Sequence, residues 1–150
     1  MAEGSAPEQL YTVLVVDDDD GVRRVLGQWV ERLGYRVRTA GSADQAIEIL
    51  SQEAVAVALC DIRMPGKDGI WLADQIRARF ASVAIVLVTG LHEMDVAFTL
   101  RPGIVGYVIK PFEREGISGA IRQALEWHRH PSPLPSQEGL LDAVSHWERP

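Results

Sequence analysis

Residues Val55 to Gly69 read V-A-V-A-L-C-D-I-R-M-P-G-K-D-G, and their reading decides the fold. Val55 to Cys60 is an unbroken apolar run, the pattern of a strand buried on both faces of a parallel sheet. The run stops at a carboxylate, Asp61, and a turn-rich loop follows with Pro65, Gly66 and Gly69. In open α/β sheets the chemistry sits just beyond the carboxyl ends of the strands, and Asp61 falls at such an end. Alone, a strand-terminating Asp is a turn residue. The rest of the chain changes that reading.

Upstream, Leu10 to Val16 is rich in β-branched and apolar residues and reads as a buried first strand. Four aspartates follow, Asp17 to Asp20. Val22, Val25, Leu26, Trp29, Val30 and Leu33 then recur at helical spacing. Asp19 or Asp20 can cap that helix, and Gly34 ends it. Tyr35 to Thr39 is a short strand, and Ser42 is an N-cap for a helix running to about Ser51.

Downstream, Ile70 to Phe80 reads as a helix and Val83 to Val88 as another buried strand, ending at Thr89 and Gly90. His92 to Leu100 is a weaker helix that Pro102 and Gly103 stop. Val105 to Ile109 is the last strand, ending at Lys110-Pro111-Phe112, and Ile117, Ala120, Ile121, Ala124 and Leu125 mark a final helix. Five strands alternating with five helices predict a doubly wound α/β domain, a parallel sheet covered on both faces with right-handed crossovers. The domain is expected over residues 10–129. Residues 1–9 form a tail. Residues 130–150 hold a stiff linker with Pro131, Pro133 and Pro135, then a candidate short amphipathic helix, Leu140 to Trp147.

Composition narrows the function. An apolar fraction of 47% suits a packed core, and a net charge of −6 disfavours a general nucleic-acid surface. The single cysteine, Cys60, lies in the apolar run, so no intramolecular disulfide forms and a reducing cytoplasm is expected. No run approaches membrane-spanning length.

The strand ends carry the chemistry. The first offers Asp17 and Asp18, the third Asp61, the fourth Thr89 and the fifth Lys110. First and third strands are neighbours in a doubly wound sheet, so three carboxylates should converge. Two carboxylates ~5 Å apart repel by about 3 kcal/mol at an effective dielectric near 20. Lys110 supplies one counter-charge, and an oxygen-loving divalent cation, Mg²⁺ by preference or Mn²⁺, supplies the rest. A hard cation beside a carboxylate, a hydroxyl and an ammonium suits phosphoryl transfer, with a carboxylate attacking phosphorus to form an aspartyl phosphate.

The stretches V-L-V-V-D-D, C-D-I-R-M-P-G-K-D-G, L-V-T-G and Y-V-I-K-P-F resemble, in order and spacing, the receiver domain of two-component response regulators, the chemotaxis regulator among them. The resemblance covers about Thr12 to Arg129. It implies a flavodoxin-like sheet of order 2-1-3-4-5, and a signalling phosphoacceptor that catalyses only its own phosphoryl transfer and slow dephosphorylation. Asp61 would accept phosphate from a sensor histidine kinase. Asp18 would ligate Mg²⁺ directly, Asp17 would support it partly through water, and the backbone carbonyl of Arg63 would complete the protein ligands.

By the same resemblance Thr89 and Lys110 would hold phosphoryl oxygens and the Lys110–Pro111 peptide would be cis. Tyr107 would be an aromatic switch following Thr89. Arg63 and Leu91 would tune reaction rates. The helix at His92–Leu100, the last strand and the last helix would form a surface for an output domain or a homodimer. Gly116 and Gly119 each cost about 1 kcal/mol in a helix interior. The start of the last helix is therefore expected to be soft, and to move on phosphorylation.

Two other readings stand beside this one. Asp18-Asp19-Asp20-Gly21 resembles the D-x-D-G motif of haloacid-dehalogenase-type phosphatases, with Asp18 as nucleophile, but gives Asp61 and its loop no role. A receiver-like module that binds partners without phosphorylation is the other; intact Asp61, Thr89 and Lys110 argue against it.

Overall fold

Along the central strands, alternate residues enter two separate apolar layers. Val13 and Val15, Val57 and Leu59, and Val86 and Val88 face one layer; Leu14 and Val16, Ala58 and Cys60, and Ile85 and Leu87 face the other. Burial on both sides explains why these strands are apolar throughout instead of alternating with polar residues. The computed structural model describes residues 11–90 and 103–131.

In chain order the described elements are β1 Thr12–Val16, α1 Asp20–Arg32, β2 Arg36–Ala40, α2 Ala43–Gln52, β3 Val57–Asp61, α3 Gly69–Arg79, β4 Ala84–Gly90, β5 Ile104–Lys110 and α4 Arg114–Arg129. The strands form one parallel sheet of order β2-β1-β3-β4-β5. α1 and α4 cover the Val13–Leu59–Val86 face, and α2 and α3 cover the other. This is the expected flavodoxin-like architecture. The helix expected at His92–Leu100, Leu91, the tail at 1–9 and the candidate helix Leu140–Trp147 lie outside the described residues.

Local chemistry sets the element ends. Of the two candidate caps for α1 the structure selects Asp19, whose Oδ1 accepts from the Val22 amide at 3.0 Å. Gly34 follows with φ +100°, the left-handed conformation that glycine adopts without penalty after a helix. Ser42 caps α2 through the Gln45 amide, and Asp68 caps α3 through the Trp71 amide. The third strand begins at Val57, two residues later than its apolar run, and includes Asp61. Val55 and Ala56 are buried, but only Ala56 is tied to neighbouring strands, through Thr12 and Ala84.

β5 departs from simple alternation. Ile85 pairs with Ile104 but Val86 pairs with Gly106, so the register shifts by one residue around Val105. Ile104 and Tyr107 pack on one layer, Val105 and Val108 on the other. A one-residue shift exchanges the faces of every side chain beyond it. It places Tyr107 on the Leu87 side and Lys110, two residues past Val108, on the side of Asp61, two past Leu59.

Candidate functional site

The acidic loop is built where β1 ends. The Asp17 amide donates to the Ala40 carbonyl of β2 at 3.1 Å, and this turns the carboxylate inward, where it is 1% exposed. Its Oδ1 accepts from the Asp19 amide at 2.9 Å; its Oδ2 is buried without a hydrogen-bond partner. Arg23 reaches back from α1 to donate to the Asp17 carbonyl at 2.7 Å and pairs with Asp20. Asp18 is exposed.

Asp61 stands at the end of β3, 4% exposed, and Lys110 Nζ lies 3.4 Å from its Oδ1 and 3.9 Å from Asp17 Oδ2. The strand end is closed from below by α3. A Cβ on Gly69 would lie 2.3 Å from the Asp61 carbonyl oxygen and 2.8 Å from the Ile62 Cα, so only glycine fits there. Burial, reinforced by the Asp17 charge, pushes the Asp61 carboxyl up to about 6, against the pull of Lys110 and an amide bond from Arg63. Burial likewise raises Asp17, opposed by the Asp19 amide and Lys110. Both shifts come first from burial, with neighbouring carboxylates adding to them and Lys110 opposing them.

The residues fit a divalent cation. Asp17, Asp18 and Asp61 each offer an oxygen, all within 4.8 Å of one another, and the buried Asp17 Oδ2 lacks the donor that burial demands. An all-oxygen, carboxylate-rich set selects a hard ion.

The other sequence-predicted residues are distributed as follows. Thr89 is fully buried, one residue beyond Val88, the β4 partner of Asp61, and its hydroxyl donates to the Gly90 carbonyl at 3.0 Å. Tyr107 is half-buried opposite Leu87. The Lys110–Pro111 peptide is cis. Arg63 is exposed in the loop that follows Asp61. Sequence reasoning missed Arg23 as a brace of the acidic loop and read Gly69 only as a turn residue. The i to i+3 pairing of Asp20 with Arg23 was the available signal for the first.

Residues 13–122 match the family model of the response regulator receiver domain. The chain belongs to the receiver domain family of two-component response regulators. It is 38% identical over 124 residues to the transcriptional regulatory protein AruR of Pseudomonas aeruginosa, covering 79% of this chain and 50% of that protein. It is 31% identical to the DNA-binding transcriptional regulator NtrC of Proteus hauseri, covering 91% of this chain and 29% of that one. The chain thus spans half or less of the length of these curated relatives. Among solved structures it resembles the signal receiver domain of an HD domain-containing protein from Pseudomonas fluorescens Pf-5, with TM-score 0.75, 28% identity, and 80% and 98% of the two chains covered.

Proposed function

We propose that Asp61 is the phosphoacceptor of this receiver domain, and that its phosphorylation by a sensor histidine kinase is the signal the domain transmits. The carrying observation is the convergence of Asp17, Asp18 and Lys110 on the Asp61 carboxylate at the carboxyl edge of the sheet. An Asp61 oxygen attacks phosphorus, the P–N bond to the kinase imidazole breaks, and the leaving nitrogen keeps the electron pair and takes up a proton. Hydrolysis of the acyl phosphate returns Asp61 and inorganic phosphate, so the domain is no enzyme toward other substrates.

Asp17, Asp18, Asp61 and the Arg63 carbonyl would hold Mg²⁺ or Mn²⁺. When bound, the cation neutralises phosphoryl oxygens as charge builds at phosphorus. Lys110 pairs with one phosphoryl oxygen. Thr89 binds another once its hydroxyl leaves the Gly90 carbonyl. Tyr107, on the same side of the sheet as Thr89, is the residue whose position would report that change.

The receiver spans residues 10–129, with 130–150 a proline-rich spacer toward an output domain, as the greater length of AruR and NtrC suggests. β5 and α4 are the described part of the surface for that partner or for a homodimer. The first turn of α4 lacks a side-chain cap and contains Gly116, which suits a mobile contact. No described helix is long and apolar enough to cross a membrane. The buried free thiol of Cys60 accords with a reducing cytoplasm.

Incubation with a small phosphodonor and Mg²⁺, followed by intact mass measurement, tests the reading. One acid-stable, base-labile phosphoryl adduct is expected, abolished in Asp61→Asn. An adduct that survives in Asp61→Asn but is lost in Asp18→Asn, with continuous phosphate release by the wild type, would instead indicate a phosphatase, and no adduct under any condition an interaction module.

A further inference from the structure

The loop that carries Arg63 is held at both ends and tied sideways to another element. At its start the Ile62 amide donates to the Val88 carbonyl at 3.0 Å; at its close the Gly69 amide donates to the Ile62 carbonyl at 2.9 Å. Met64 anchors it inward on the core. Lys67 leaves the loop in the other direction. Its Nζ lies 2.8 Å from Asp44 Oδ1 in the first turn of α2 and 4.7 Å over the Trp71 ring of α3.

Asp44 belongs to the half of the molecule that supports the acidic loop. α2 follows β2 through Gly41, and the last residue of β2, Ala40, accepts the hydrogen bond that orients Asp17. A Cβ on Gly41 would lie 3.2 Å from Arg23, the brace of the same loop. The Lys67–Asp44 pair therefore ties the Arg63 loop, across 23 residues of sequence, to the start of α2, which follows directly on the strand whose Ala40 carbonyl holds the Asp17 amide. Neither residue touches the reacting groups.

We propose that Lys67 and Asp44 form a clasp that sets the distance between the Arg63 loop and the Asp17–Asp18 loop, and so positions the site for its cation. The clasp rests on the reading of Asp17, Asp18 and Asp61 as a Mg²⁺ site. Both side chains are more than half exposed, 51% and 73%, so the pair is screened by solvent and its effect is modest.

The experiment separates positioning from simple electrostatics because the two give opposite signs. Mg²⁺ affinity is measured by calorimetry on the full chain for wild type, Lys67→Met, Asp44→Asn, the double variant and Lys67→Arg. Thermal unfolding in chelator is followed in parallel. As a bare charge near a cation site, Lys67 opposes Mg²⁺, so its removal would tighten binding while Asp44→Asn would weaken it. As a clasp, both single variants weaken binding by about two- to fivefold, the range a pair of this exposure supports. The double variant is then no weaker than either single, Lys67→Arg stays near wild type, and unfolding in chelator shifts no more than the small contribution of an exposed pair. Tightening or no change in Lys67→Met, or additive losses in the double, overturns the clasp alone. A wild-type chain that takes no Mg²⁺ overturns the proposed site and the clasp together.

Discussion

Lys110 Nζ reaches across β4 to within 3.4 Å of Asp61 Oδ1, joining the end of β5 to the end of β3. It is the cation within ion-pair distance of both inward carboxylates, Asp61 and Asp17, among the described residues. One ammonium does not balance this site. Burial and the Asp17 charge still hold Asp61 near 6.

Two substitutions should therefore move Asp61 in opposite directions. Lys110→Ala removes a charge that lowers it and should raise its pKa above about 6; Asp17→Asn removes one that raises it and should bring it below. Carboxyl carbon NMR titration of metal-free protein reads both shifts.

Metal removal should leave a pH signature in stability. The Asp61 carboxyl is raised in the fold, from an ordinary value near 3.8 to about 6. Its contribution is fully present below pH 4 and is lost as pH rises through about 6. Urea unfolding in chelator should show Asp61→Asn gaining on wild type across that window, by at most about 3 kcal/mol. Saturating Mg²⁺ should close the difference, because bound cation stabilises the wild-type fold.

Gly69→Ala should damage both fold and site. Its Cβ meets main-chain atoms of Asp61 and Ile62, which cannot swing aside as a side chain can. A loss of about 1–3 kcal/mol is expected by urea unfolding, together with weaker Mg²⁺ binding. Gly116→Ala is the contrast. Nothing lies within 4 Å of its Cβ and it sits in α4, so a gain of roughly 0.5–1 kcal/mol is expected.

Cys60 should be chemically silent in the folded protein. Full burial and the neighbouring Asp61 push its thiol up to about 12, so little thiolate exists at neutral pH. A chromogenic disulfide reagent should fail to label native protein and should label it stoichiometrically in denaturant.

β1, β3 and β4 were legible because burial on both faces leaves apolar runs, whereas β2, Arg36–Ala40, is mostly exposed and carries no such run. Asp19, Ser42 and Gly34 were legible because capping is local chemistry. Strand limits moved by a residue or two, as at Val57, because a run records burial while a strand also requires pairing. The sheet order came with the family resemblance. Asp17, Asp18, Asp61, Thr89 and Lys110 were visible because each ends an apolar strand. Gly69 against the Asp61 carbonyl, Arg23 on the Asp17 carbonyl and Lys67 on Asp44 were not. These contacts depend on how loops fold over strand ends, and residue type alone does not carry that.

The register shift at Val105 makes residue count in β5 matter as much as residue identity. Beyond it, Gly106, Val108 and Lys110 share the side of the sheet on which Asp61 stands, Val108 in the core and Lys110 at the edge. Conservative exchanges at Val105 should pass almost unnoticed. Deleting it would leave Ile104 and Gly106 paired with Ile85 and Val86, and Lys110 still on the Asp61 side. Adding one residue between Val108 and Lys110 would instead turn the ammonium away from a sheet that still forms, a protein that folds but has lost its phase.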